Sequence, residues 1–220
     1  MFKEFFKNWT TTDLLTQAVN DSHEMFKMAL EMFELTKSKC CIKIENDNIE
    51  LGEDIKKKDY LLNHYDKSIR KKIYEHIILS EKENQELYTS FILFSIVGDI
   101  ERLGDYTKNM FEVITSADLS DEKLNVDLKR MFENMGGLFT KTIKAYKASE
   151  VTVAKEINDE YFKFKTELDE IIEKLIIKND HTSPAAYALF FRFLKRIGAH
   201  LMHISTSISN PIDQIGYYVD

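Results

Sequence analysis

The stretch "GDIERLGD", Gly98 to Asp105, and the stretch "RFLKRIGAH", Arg192 to His200, read as two versions of one phrase. An offset of 94 residues sets Glu101 over Lys195, Arg102 over Arg196, Leu103 over Ile197 and Gly104 over Gly198. Each copy falls in the last of three long helical patterns in its half of the chain, which is how an internal duplication looks in sequence. The expected fold is all-α: two tandem three-helix bundles, residues 1–117 and 118–220, divided near Ala117 to Ser120. Six long helices would pack ridges into grooves.

Composition agrees with that reading. Two prolines and seven glycines in 220 residues leave few points where a helix must break. A net charge of −7 disfavours nucleic acid as a partner, since phosphate contacts need clustered Lys and Arg. The basic run "KSIRKK", Lys67 to Lys72, is soon followed by glutamates and reads as a solvated helix face. Cys40 and Cys41 are adjacent and have no other cysteine to bridge. Neighbours rarely meet disulfide geometry, so a reducing compartment is expected. No apolar run approaches the roughly 20 residues of a membrane span. The opening "MFKEFFKNW" is too short and mixed for a signal peptide; a small membrane-touching amphipathic segment is one reading, and packing on its own bundle is the commoner one.

Working outward from the repeated phrase, the helices can be placed. The first carries Leu14, Ala18, Met25, Met28, Met32 and Leu35 at helical spacing, after capping Thr and Asp residues. Cys40 to Gly52 lacks such a stripe and reads as a connector. The second helix is expected from Glu53 to Leu79, and the third from a cap at Ser80, with Glu83 three residues on, to Ser116. A plain cap at Ser120 precedes a fourth over Asp121 to Tyr146, where Gly136-Gly137 permits a bend or a close neighbour. The fifth spans Ser149 to Lys178. Pro184 suits the first turn of the sixth, which ends near Asn210 because Pro211 cannot continue it.

Chemistry enters through acids on inward stripes. One stripe of the third helix reads Leu87, Phe91, Phe94, Gly98, Glu101, Asp105; a second reads Ile92, Ile96, Asp99, Leu103, Tyr106, Met110. The second helix has Ile55, Asp59, Leu62, Asp66, Ile69, Ile73, with Asn63 four residues after Asp59. Acids on the inner faces of adjacent helices can meet across a bundle. Oxygen-rich sites of that kind hold magnesium, calcium, manganese or iron. The competing outcome is a solvated acidic face, with Arg102 and Lys108 close enough in sequence to pair with Glu101 and Asp105. The standard di-iron bundle needs Glu-x-x-His, and none of the six histidines has Glu three positions before it. His200 and His203, three apart, could share a metal but are more often ordinary helix histidines. There is no phosphate-binding glycine loop, Ser-His-Asp set or zinc-cysteine pattern in the sequence.

At these residues the sequence resembles the PhoU family, regulators of bacterial phosphate uptake built as two similar three-helix bundles. The family's third-helix motif, Asp-Leu-Glu-Arg-Ile-Gly-Asp with an Asn further on, is matched by "DIERLGDYTKN", Asp99 to Asn109. Its second-helix acid-x-x-x-Asp/Asn is matched by Asp59 and Asn63. Family members bind multinuclear metal clusters there, so the resemblance implies a metal role for Asp59, Asn63, Glu101 and Asp105. The ion would be divalent or trivalent: iron, zinc, manganese or magnesium. In the second repeat Lys195 replaces the Glu, Ala199 replaces the Asp, and Asp159 is followed by Lys163 rather than Asp or Asn. The resemblance thus implies one metal site in the first repeat and its loss from the second. It also implies a cytoplasmic, non-enzymatic regulator that contacts a phosphate transporter or a sensor histidine kinase. Membrane association would be peripheral, through that partner, and homodimerisation stays open. The alternatives are a metal-free helical adaptor and a metal-dependent enzyme on the same acidic helix pair.

Overall fold

A computed structural model describes residues 14–41, 48–79, 84–177, 181–210 and 212–216. It is built from α1 (Leu14–Cys41), α2 (Asn48–Leu79) and α3 (Asn84–Ser116). After five residues follow α4 (Glu122–Ala148), α5 (Val151–Ile177) and α6 (Pro184–Ser209). A short 3-10 turn, Ile212–Gln214, comes last. There is no strand among the described residues. Also among them, no helix is long and apolar enough to cross a membrane. Met1 to Trp9, the Thr/Asp cap before α1, the Ser80 and Glu83 cap, Lys178 and Pro211 lie outside the described residues.

The helix ends follow local chemistry, and two expectations need correction. The cap of α4 is Asp121 rather than Ser120: its Oδ1 accepts from the backbone N–H groups of Lys123 and Leu124 at 3.1 Å. The Cys40–Gly52 connector is much shorter than expected, because α1 runs to Cys41 and α2 starts at Asn48. Gly52 is a helical residue that makes room for the Phe111 ring of α3, 3.3 Å from where a Cβ would stand. Pro184 opens α6 as expected. Asn210 caps its end at φ −110°, ψ 156°, the extended backbone that a following proline imposes.

Each trio of helices closes on itself, and the trios then pack α1 on α4 and α3 on α6. Both cross-contacts are antiparallel. On one side Phe26 meets Phe139 at 5.6 Å between ring centroids and Phe33 meets Phe132 at 5.3 Å. On the other, Asp99 meets His200, while Tyr106 meets Phe193 at 6.0 Å. The two repeats are therefore related by an approximate twofold axis, with one continuous core of fully buried Phe, Met, Leu and Ile. Gly136 admits α1, whose Phe33 ring lies 3.6 Å from its missing Cβ, and α4 passes through Gly136-Gly137 without a break.

Candidate metal centre

The seam between α2 and α3 is held by its apolar stripes. Ile55, Leu62, Ile69 and Ile73 of α2 and Ile92, Ile96, Leu103 and Met110 of α3 are all buried in the shared core. Gly104 brings the helices together: a Cβ there would collide with Leu62 Cδ1. The acids lie along the margin of this contact, where they keep a fifth or so of their surface. Phe91 and Phe94 of the other α3 stripe are largely exposed, so that stripe lies at the rim rather than in the core.

Three of the four expected ligands converge. Asp59 Oδ2 and Asp105 Oδ1 both face the Lys108 ammonium, at 2.9 and 3.5 Å. Arg102 reaches Glu101 at 3.6 Å and Asp105 at 3.3 Å. Burial raises the Glu101 pKa, and the charges of Asp105, Asp66 and Asp59 raise it further against the opposing pull of Arg102. That shift marks four carboxylates sharing one neighbourhood. Burial opposes the charge on Lys108, but the hydrogen bond and charge of Asp59 and those of Asp105 outweigh it, and its pKa is raised. The fourth residue, Asn63, turns its amide back to donate to the Asp59 backbone carbonyl at 2.9 Å. Its amide oxygen remains a potential ligand.

Asp66 belongs to the same set, although the sequence reading placed it only on the stripe. It accepts from Arg70 Nε at 2.7 Å, and Arg70 lies 4.2 Å from the Phe94 ring centre. Asp66, Arg70, Gly98, Asp99, Glu101, Arg102 and His200 line an open cleft of about 480 Å³ beside the seam. A hard cation entering here would find carboxylate oxygens and water. To bind at Asp59 and Asp105 as well, it would have to displace the Lys108 ammonium that bridges them.

The second repeat presents the same frame with other contents. Gly198 plays the part of Gly104, with the Tyr161 ring 2.7 Å from its missing Cβ. Leu62 therefore corresponds to Tyr161, and the positions equivalent to Asp59 and Asn63 are Asn158 and Phe162. This corrects the expected Asp159/Lys163 register by one residue: both of those side chains are exposed, and Lys163 lines a shallow cleft with Glu133 and Glu167 on the α4 side. Lys195, at the Glu101 position, pairs with Asp169, which stands where Arg70 stands in the first repeat. The charge pattern is reversed. Asn158 is buried and its Oδ1 has no hydrogen-bond partner.

Comparison with known proteins places this arrangement among similar chains. Residues 17–114 match the family model described as PhoU domain. The chain is 26% identical over 156 residues to the uncharacterized protein MJ1641 of Methanocaldococcus jannaschii. The alignment covers 70% of this chain and 51% of that protein, so the chain spans about half the length of that relative. Among solved structures, it superposes on PhoU from Pseudomonas aeruginosa with a TM-score of 0.74 at 13% identity, covering 89% of this chain and 95% of the other. The phosphate transport system regulatory protein PhoU from Streptococcus pneumoniae gives 0.69 at 18% identity, covering 88% and 92%. At such identities the superpositions speak for the fold, which is that of two tandem three-helix bundles.

Proposed function

We propose, from the match of its first three helices to the PhoU domain, that this chain is a PhoU-family protein that regulates inorganic phosphate uptake by protein–protein contact with a phosphate transporter or its sensor kinase. It acts by binding rather than catalysis, from the cytoplasmic side, and meets the membrane only through its partner. The observation that carries the reading is the PhoU-domain match over α1 to α3, the same helices that bear the acidic cluster. The α2/α3 end also exposes Tyr74, Ile78, Leu79 and Phe91, large apolar side chains of the kind that partners cover.

In this reading Asp59, Asn63, Glu101 and Asp105 hold a divalent or trivalent ion in the first repeat, with Asp66 at its edge. Iron, zinc, manganese and magnesium all suit carboxylate ligands to differing degrees. A metal-free adaptor is the second reading, and one observation favours it: the Lys108 ammonium already bridges Asp59 and Asp105.

The test is phosphate uptake in a host deleted for its own copy of the gene. The wild-type chain should restore regulated uptake of labelled phosphate, and the Glu101→Ala/Asp105→Ala variant should not. Uptake unaffected by the wild-type chain would sink the regulatory reading. Full activity of the double variant would favour the metal-free adaptor.

A further inference from the structure

The α3/α6 seam has two ends related by the approximate twofold axis, and they are built differently. At one end Tyr106 packs on Phe193, an ordinary aromatic contact. At the other, the symmetry-related positions hold Asp99 and His200, joined by His203 one turn along α6. The carboxylate and both imidazoles converge. Asp99 Oδ1 lies 2.8 Å from His200 Nδ1 and 3.6 Å from His203 Nδ1. One ligand atom from each of the three residues lies within 4.8 Å of the others.

We propose that Asp99, His200 and His203 form a second metal site, on the seam between the repeats, for a borderline divalent transition ion of the zinc or iron(II) class. It is separate from the carboxylate set between α2 and α3, and from the lost position in the second repeat. Three arguments carry it. First, the donor set is right: two imidazoles and one carboxylate with positions left open is a zinc or non-haem iron(II) arrangement, unlike the all-oxygen set nearby.

Second, the spacing is right. Ligands about 2.0–2.1 Å from a tetrahedral ion stand roughly 3.3 Å from one another. The observed 2.8 and 3.6 Å bracket that value, so small side-chain rotations suffice. Spacing of three residues puts both histidines on one helix face.

Third, the rings are held from behind. Tyr106 stacks on His200 at 5.6 Å and is itself engaged by Arg196 Nε at 3.1 Å. The His203 ring packs beneath Gly216, whose φ of +81° and missing Cβ, 3.1 Å from Nε2, bring the backbone against it. That turn is pinned by the Gly216 N–H to Thr206 Oγ1 bond at 2.8 Å. Water reaches the site through the cleft that Asp99 and His200 line. A hydrogen-bonded Asp–His pair alone would not need the second imidazole on the same carboxylate oxygen.

The experiment is titration of the full chain with Zn²⁺ by calorimetry and with Co²⁺ by visible absorption, where imidazole ligation shifts and intensifies the cobalt bands. His203→Ala is the primary variant because His203 is 41% exposed and its loss spares the core. Asp99→Asn is the second. Each should weaken Zn²⁺ binding at least about 100-fold, more than loss of an outer partner does, and should erase the imidazole-type cobalt spectrum. Glu101→Ala/Asp105→Ala should keep both signals, which separates this site from the carboxylate set. No tight Zn²⁺ binding by the wild type would overturn the proposal. So would binding that survives His203→Ala, or binding lost only with Glu101 and Asp105.

Discussion

The α2/α3 seam and the α5/α6 seam share a glycine, a packing partner for it and a long apolar stripe, yet they carry opposite charge. In the first, Asp59, Asp66, Glu101 and Asp105 crowd together around Lys108, Arg70 and Arg102. In the second, Lys195 pairs with Asp169, and a neutral Asn158 takes the Asp59 position. The difference separates two roles that one motif combines. Gly104 and Gly198 keep the helices close and have nothing to do with ligands. The acids can be removed without loss of the bundle, because they sit at the edge of an apolar contact that is complete without them.

The largest expected effect is the response to metal. At metal concentrations 100-fold above Kd, binding to the native state adds about 2.7 kcal/mol, which for a chain of this size means roughly 5–10 °C in Tm. Melts with Mn²⁺ or Mg²⁺, which favour the all-oxygen set, should show this rise for the wild type and for Lys195→Ala, and not for Glu101→Ala/Asp105→Ala. A rise that persists in the double variant would erase the contrast between the seams. A smaller effect should come from the glycines. Alanine at either position overpacks a tight contact, at a cost of about 1–3 kcal/mol. Gly198→Ala should cost more than Gly104→Ala, because Leu62 can turn its end away while the rigid Tyr161 ring cannot. Urea unfolding of the two variants measures the order, and equal losses would mean the seams are equally compliant.

Lys108→Gln should lower the stability of metal-free protein by about 1 kcal/mol, since Asp59 and Asp105 lose their shared cation. The same change should tighten metal binding, because no ammonium has to leave. If it weakens binding instead, Lys108 is part of the site rather than a stand-in for the ion. The smallest effect is a pH dependence. A carboxyl whose native pKa is raised contributes stability below its unfolded value, and that contribution is lost as pH rises through the native value. Glu101→Gln should therefore gain on the wild type between about pH 4.5, the usual glutamate value, and neutrality in metal-free buffer. Parallel stability curves for the two proteins would show that the neighbouring acids exert no pressure on Glu101.

Most of the helix layout was legible because it is written locally, in stripes, in Pro184 and in the Asn210–Pro211 stop. The connector was misjudged because Gly52 is a weak helix former whose place in α2 is secured by packing of Phe111 on it. The second-repeat register slipped by one residue for a related reason. Successive positions on a helix differ by about 100°, so Asp159 and Lys163 have the right spacing on the wrong face. Only the neighbour of Gly198 fixes the register. Asp59, Glu101 and Asp105 could be found from sequence because each lies on a stripe. The meeting of Asp99 with His200 joins residues 101 positions apart and has no local signature.

The aromatic contact of α1 with α4 has a consequence for the fragment 1–117. Cut free, it would present Phe26 and Phe33 to water over the face that Phe139 and Phe132 cover in the whole chain. The covering surface is supplied by a rotated near-copy of the fragment itself. Two such fragments can cover each other around the same axis, so the expected product of truncation is a homodimer rather than a monomer. The full chain is, in effect, that dimer written on one gene, and only a fused dimer can change one of its halves while leaving the other alone.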